Sequence, residues 1–129
     1  MIQDAISLGQ LYLISINLAE KNATNIISYN IEKLLTNETI VGHVRSCVDT
    51  CAEVYSPVIS LLQDAHNAFK SKNYATAKAS LSSAITIPDS CEQFFAEGEI
   101  ATESLLAKED ATFHQMAAIS LAFLSMMQG

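Results

Sequence analysis

The sequence predicts an all-α protein, an antiparallel up-down-up-down four-helix bundle, and three observations carry that prediction. Apolar residues recur at steps of three and four through four separate stretches, the period of a helix with one buried face. The segments between those stretches are short and polar, and short connections force neighbouring helices to run in opposite directions. Of 129 residues half are apolar, with two prolines and four glycines, a composition that suits an ordered chain with one core. A single domain over residues 1–129 is therefore expected.

The first helix is predicted from residue 2 to about 35. Ala5, Leu8, Tyr12, Ile16, Ala19, Ala23, Ile26 or Ile27, Ile31 and Leu34 form its apolar stripe, with Gln3, Asp4, Gln10, Asn17, Glu20, Lys21 and Asn25 opposite. The cluster Thr36-Asn37-Glu38-Thr39 ends the pattern and reads as a turn. A second helix follows, with Val41, Val44, Cys47 or Val48, Cys51, Val54, Val58, Leu61, Ala65 and Phe69 at steps of three and four. Pro57 lies inside it; an interior proline removes one backbone hydrogen bond at a cost of about 3 kcal/mol, so a kink near Glu53 is expected. Lys70-Ser71-Lys72-Asn73 closes this helix with cations that suit its negative end, and Asn73 can cap the next. The third helix runs from Tyr74 through Ala77, Leu81, Ala84 and Ile85 and stops at Pro88-Asp89.

Residues 88 to 103 are expected to form a loop carrying Cys91, one helical turn at Glu92 to Phe95, and Gly98. Leu105, Leu106, Phe113, Met116, Ile119 or Ser120, Phe123 and Met126 or Met127 then mark a last helix from about 104 to 127. Glu92, Glu97, Glu99, Glu103, Glu109 and Asp110 gather around Lys108 and read as a solvated acidic face.

Charge narrows the function. Seven basic against fourteen acidic side chains leave a formal charge of −7, the wrong sign for nucleic acid or an anionic membrane surface. No apolar run approaches the ~18 residues of a membrane span. Met1-Ile-Gln-Asp has no basic segment followed by an apolar block, so a secretory leader is expected to be absent or removed.

Three cysteines are present. Cys47 and Cys51 lie one turn apart on the second helix, and Cys91 follows the third. Reduced thiols would suit a cytosolic protein. The sequons Asn22-Ala23-Thr24 and Asn37-Glu38-Thr39 instead favour export, with Asn22 and Asn37 as candidate glycosylation sites. A bridge from the second helix to Cys91 would close a loop of about 40 residues, worth about 4 kcal/mol in the chain-entropy model. Spacing leaves Cys47 and Cys51 as equal candidates for it.

Cys51-x-x-x-Tyr55, Ala68-Phe69-Lys70-Ser71-Lys72-Asn73-Tyr74, Leu81-Ser82-Ser83-Ala84-Ile85-Thr86, Cys91-Glu92-x-Phe94 and Ala117-Ala118-Ile119-Ser120-Leu121-Ala122 together resemble the plant invertase and pectin methylesterase inhibitor family. The resemblance implies a four-helix bundle whose second helix is bridged to the loop after the third. The matching positions are Cys51 and Cys91, which makes Cys47 the free thiol. Members of that family begin with a helical hairpin holding its own cysteine pair, and this sequence starts after the point where it would lie. Some invertase inhibitors carry Pro-Lys-Phe where this chain has Lys72-Asn73-Tyr74. The turn and the helix after it look closest to the pollen-type members, which are also known as allergens.

Enzymatic chemistry finds little support. His43, His66 and His114 sit on separate segments with no Cys or carboxylate expected at metal spacing, and there is no Gly-x-Ser-x-Gly and no phosphate loop. Cys47 and Cys51 could grip a metal only with a third ligand. A histidine-phosphotransfer domain or other cytosolic helical adaptor is the rival; it would need Lys three positions after its His, where His66 has Phe69. The resemblance implies a non-enzyme without catalytic residues, metal or cofactor. The resemblance further implies a secreted monomer of the cell wall, apoplast or vacuole that acts by stoichiometric binding over the cleft of an acid invertase or a pectin methylesterase. A truncated, non-inhibitory, allergen-like member is a further alternative. Lys70 and Lys72, a basic spot in an acidic protein, and Tyr74 beside them are the candidate target interface, because glycosidase clefts carry paired carboxylates. Binding across carboxylates should vary with pH between about 4 and 6.

Overall fold

The computed structural model describes residues 7–97 and 103–128, and within them every regular element is a helix. The start expected at residues 2 to 6, the expected turn at Gly98 and the acid Glu99 lie outside the described residues.

Helix α1 (Leu8–Asn25) begins at a capping box. The Gln10 backbone N–H donates to the Ser7 hydroxyl and the Ser7 N–H donates back to the Gln10 side-chain oxygen, which satisfies two otherwise orphaned groups. Tyr12, Ser15, Ile16, Ala19 and Ala23 form its buried stripe. The first helix is not α-helical throughout. A π-helical segment covers Ile26–Ile31, and α2 (Glu32–Leu35) completes it. The extra residue per turn explains the ambiguity between Ile26 and Ile27: the buried residues are Ile26 and Ile31, a step of five that no α-helical stripe provides.

The second helix is divided into α3 (Gly42–Tyr55) and α4 (Val58–Lys70). Pro57 has no N–H to offer the Glu53 carbonyl. That oxygen instead accepts from the Ser56 N–H at 3.2 Å and from the Ser56 hydroxyl at 2.8 Å. The interruption falls at Ser56 and Pro57, and the carbonyl it frees is the one at the expected kink.

Helix α5 (Tyr74–Ala96) corrects the expected stop at Pro88, because it runs straight through that residue. The ring of proline holds a φ compatible with a helix and forfeits one hydrogen bond, about 3 kcal/mol. Against this stand Ile87, Pro88, Cys91 and Phe95, all buried on one face, where a large apolar side chain contributes roughly 1.5–3 kcal/mol. Burial wins. Cys91 therefore lies within the third helix and not in a loop after it.

Helix α6 (Ala107–Gln128) starts three residues later than expected, after Ser104 accepts the Leu106 N–H on its hydroxyl at 3.1 Å. Its buried residues are Asp110, Phe113, Ala117, Ser120 and Leu124, with Leu106 buried just before it. Met116, Phe123 and Met127 flank that stripe half-covered. The larger side chains had pointed to the wrong centre of the face.

Helix α5 packs against α3, α4 and α6, and α1 packs against α4 and α6, so the four helices close a ring around one core. Small residues set the distance between α1 and α6: the Ser15 and Ser120 hydroxyls lie 2.7 Å apart, and within their own helices the Tyr12 carbonyl accepts from Ser15 at 2.7 Å and the Met116 carbonyl from Ser120 at 3.3 Å. Among the described residues no helix is long and apolar enough to cross a membrane.

Candidate functional site

The turn between α4 and α5 is built from the helix end outward. Asn73 N–H donates to the Ala68 carbonyl at 2.8 Å and Lys72 N–H to the Phe69 carbonyl at 2.9 Å, the paired bonds of a Schellman motif. Lys72 is the left-handed residue of that motif, with φ 61°. Glycine takes this position most readily; a lysine there carries a conformational cost of about 1 kcal/mol. Asn73 then accepts the Thr76 N–H on its side chain and starts α5. Replacing Lys72 with glycine should therefore raise stability by about 0.5–1 kcal/mol in urea unfolding, while removing a charge from the tip.

Three aromatic rings hold this turn. Tyr12 lies 4.5 Å from Phe69 and Phe69 5.5 Å from Tyr74, centroid to centroid. The Tyr12 hydroxyl donates to the Ala65 carbonyl at 3.1 Å, and burial pushes its pKa up to about 12. A Cβ on Gly9 would stand 3.3 Å from the Phe69 ring, so the glycine lets α1 come close. Lys70 and Lys72 are exposed and Tyr74 is half-buried. The expected interface residues are thus adjacent, on one capped turn, with both cations exposed to solvent.

The cysteines are farther along the bundle. Cys51 on α3 and Cys91 on α5 are bonded, with Cα atoms 4.8 Å apart, and Cys47 is free and buried. Cys51 is consumed by the bridge, which removes the metal-binding alternative with Cys47. Burial raises the Cys47 thiol pKa, so it is a thiol and not a thiolate. It lies 3.5 Å from His43 Nε2 and donates to the Phe94 carbonyl at 3.3 Å. His43 is one turn before Cys47, so the expectation that no cysteine stands at ligand spacing from a histidine is corrected. His114 likewise has a carboxylate near it, Asp89 Oδ1 at 3.4 Å from Nδ1. That contact crosses from α5 to α6 and leaves no trace in local spacing.

The sequons differ. Asn37 is exposed in the turn after α2, and its side-chain oxygen accepts from the Thr39 N–H and hydroxyl at 3.0 and 2.7 Å. Asn22 sits on α1 with its Oδ1 shielded from solvent.

The acidic face is also corrected in part. Asp110 is 1% exposed. Its Oδ1 accepts a short hydrogen bond from Tyr55, itself fully buried, while Glu92 accepts one from Ser104. Asp89, Glu92, Asp110 and His114 line a cavity of about 310 Å³ between α5 and α6. Burial and then the neighbouring Glu92 carboxylate push the Asp110 pKa up to about 9, with Tyr55 pulling the other way. Burial and the same acids raise the Tyr55 hydroxyl.

Residues 3–123 match the family model described as plant invertase/pectin methylesterase inhibitor. The chain is 31% identical over 115 residues to a protein of Platanus orientalis described as "Putative invertase inhibitor", covering 89% of this chain and 66% of that one. A protein of Platanus acerifolia with the same description is 31% identical over 115 residues, covering 63% of its length. The chain thus spans just under two thirds of these curated relatives. Among solved structures, a pectin methylesterase inhibitor from Arabidopsis thaliana superposes with a TM-score of 0.82 at 16% identity, over 95% of this chain and 79% of that one. A mutant form of a pectin methylesterase inhibitor from Arabidopsis gives 0.81 at 16% identity, over 92% and 78%. At that identity the likeness shows the fold, a helical bundle of the same arrangement.

Proposed function

The chain belongs to the plant invertase/pectin methylesterase inhibitor family, and from that membership we propose that it inhibits a plant carbohydrate-active enzyme, an acid invertase or a pectin methylesterase, by stoichiometric binding over the active-site cleft. The match over residues 3–123 is the observation that carries this reading. A rigid bundle serves such a role because little conformational freedom is lost on docking. Affinity then comes from buried contact around a few anchors.

The α4–α5 tip supplies part of that contact. Lys72 holds a left-handed backbone that glycine would hold more cheaply, and strain kept at an exposed charged residue is the kind of feature that accompanies a binding role. Lys70 and Lys72 would face carboxylates of the target, with Tyr74 as the half-buried aromatic beside them. The protein is read as a secreted monomer of the cell wall, apoplast or vacuole, with Asn37 better placed than Asn22 to carry a glycan, and as a relative of pollen allergens.

Titration of an acid invertase and of a pectin methylesterase, each with the purified chain, tests the proposal. One of the two should lose activity in proportion to added protein, with a sharp end point near equimolar. The paired reversal Lys70→Glu with Lys72→Glu should weaken that inhibition about 10-fold or more, mostly through slower association. Unchanged inhibition would remove the tip from the interface. The second reading is a family member whose bundle folds but does not inhibit. Full activity of both enzymes at excess protein would establish it.

A further inference from the structure

We infer that Asp110, Glu92 and Tyr55 form a proton-locked joint between α3, α5 and α6, closed while Asp110 carries a proton beside Glu92 and loosened when that proton leaves. The geometry demands a proton. Asp110 is 1% exposed, its Oδ1 is occupied by the Tyr55 hydroxyl, and its Oδ2 is buried without a partner. Oxygens of Glu92 and Asp110 lie within 4.8 Å of one another. Two carboxylates so close in a buried site do not both ionise unless a cation intervenes. Among the described residues the cations nearest a carboxylate are Arg45, beside Asp49, and, if charged, the His114 ring beside Asp89, and neither contact includes Asp110. A neutral Asp110 removes one of the two adjacent negative charges and replaces a stranded carboxylate oxygen with an O–H on the side of Glu92, which holds its position through the Ser104 hydroxyl.

The groups around the joint agree in sign. Tyr55 faces Asp110 from α3. Asp89 and Glu92 face it across the cavity from α5, and on α6 Glu109 precedes it while His114 turns to Asp89. Lys108, on the same helix, is exposed. A carboxyl whose folded pKa lies above its unfolded value, about 3.9, binds an extra proton in the folded state across the interval between the two. Stability from this group is thus complete at acid pH and is lost as pH rises toward the folded value of about 9. The limit is about tenfold in the folding constant per pH unit.

Asparagine at position 110 reproduces the neutral acid, with an oxygen for Tyr55 and an N–H in place of the acid O–H, and cannot titrate. Thermal unfolding of the native chain and of Asp110→Asn, at pH 5 and pH 8, tests the joint. Between those pH values the native folding constant should fall about 10- to 100-fold more than that of the variant, a difference of roughly 5–10 °C in Tm. The two proteins should be alike at pH 5, and the variant more stable at pH 8. Carbon-13 NMR of the Asp110 carboxyl in the unaltered protein needs no variant to fold, and should show titration above pH 6. In Glu92→Gln that titration should move to lower pH. Parallel pH profiles for the native chain and Asp110→Asn, or an Asp110 carboxyl that ionises below pH 5, would overturn the inference.

Discussion

Replacing Cys51 and Cys91 together with alanine is expected to lower folding stability by about 4 kcal/mol, the chain-entropy value for a closed loop of about 40 residues. The loss should be local before it is global. Helix α3 is severed from α4 at Ser56 and Pro57 and packs on α5 and on the π-helical and α2 segments, touching α6 through Tyr55 at its end, whereas α4 is held by both α1 and α5. The disulfide pins this least-supported helix to the third one, at Cα atoms 4.8 Å apart. Without it, the amides of Gly42–Tyr55 should be the first to lose hydrogen-exchange protection, and α4, α5 and α6 should keep theirs longer. Urea unfolding of the variant measures the total, and exchange measures the order. Thiol titration of the denatured native protein should find one free group, Cys47; three would mean that the bridge does not form and that the cytosolic alternative stands.

Most of the fold was written in the hydrophobic period, and the exceptions have physical causes. The four stripes were legible because each buries residues at steps of three and four. The π-helical segment was not, since it replaces that step with the five residues from Ile26 to Ile31. Pro88 looked like a terminus because its lost hydrogen bond is a local fact, while the burial of Ile87, Cys91 and Phe95 that outweighs it depends on other helices. Pro57 shows the opposite balance: Ser56 and Pro57 are both exposed, no core contact compensates, and the helix is interrupted. Asp110 read as a surface acid for the same reason. A carboxylate in a run of acids carries no mark of burial until Tyr55 and Glu92 arrive from α3 and α5. The tip fared better, because Lys70, Ser71, Lys72 and Asn73 are adjacent in the chain and their capping is local.

Phe69→Ala is expected to cost about 3 kcal/mol, at the low end for a truncated phenylalanine because the ring is half-buried. It should also weaken inhibition more than its stability loss explains. The ring sits between Tyr12 at 4.5 Å and Tyr74 at 5.5 Å, and it fills the space that Gly9 leaves on α1. Removing it unties Tyr74 and frees the turn that presents Lys70 and Lys72, so each docking event must then order that turn at its own entropic cost. Phe113→Ala supplies the comparison. Phe113 is fully buried on α6, with its ring edge-on to Tyr55 at 6.1 Å, and its loss should cost about 3–5 kcal/mol without touching the tip. Both variants would be assayed well below their unfolding midpoints, against the enzyme the native chain inhibits. Weaker inhibition by Phe69→Ala with near-native inhibition by Phe113→Ala is the expected pattern. Equal losses would mean that overall looseness, and not the order of this turn, governs binding.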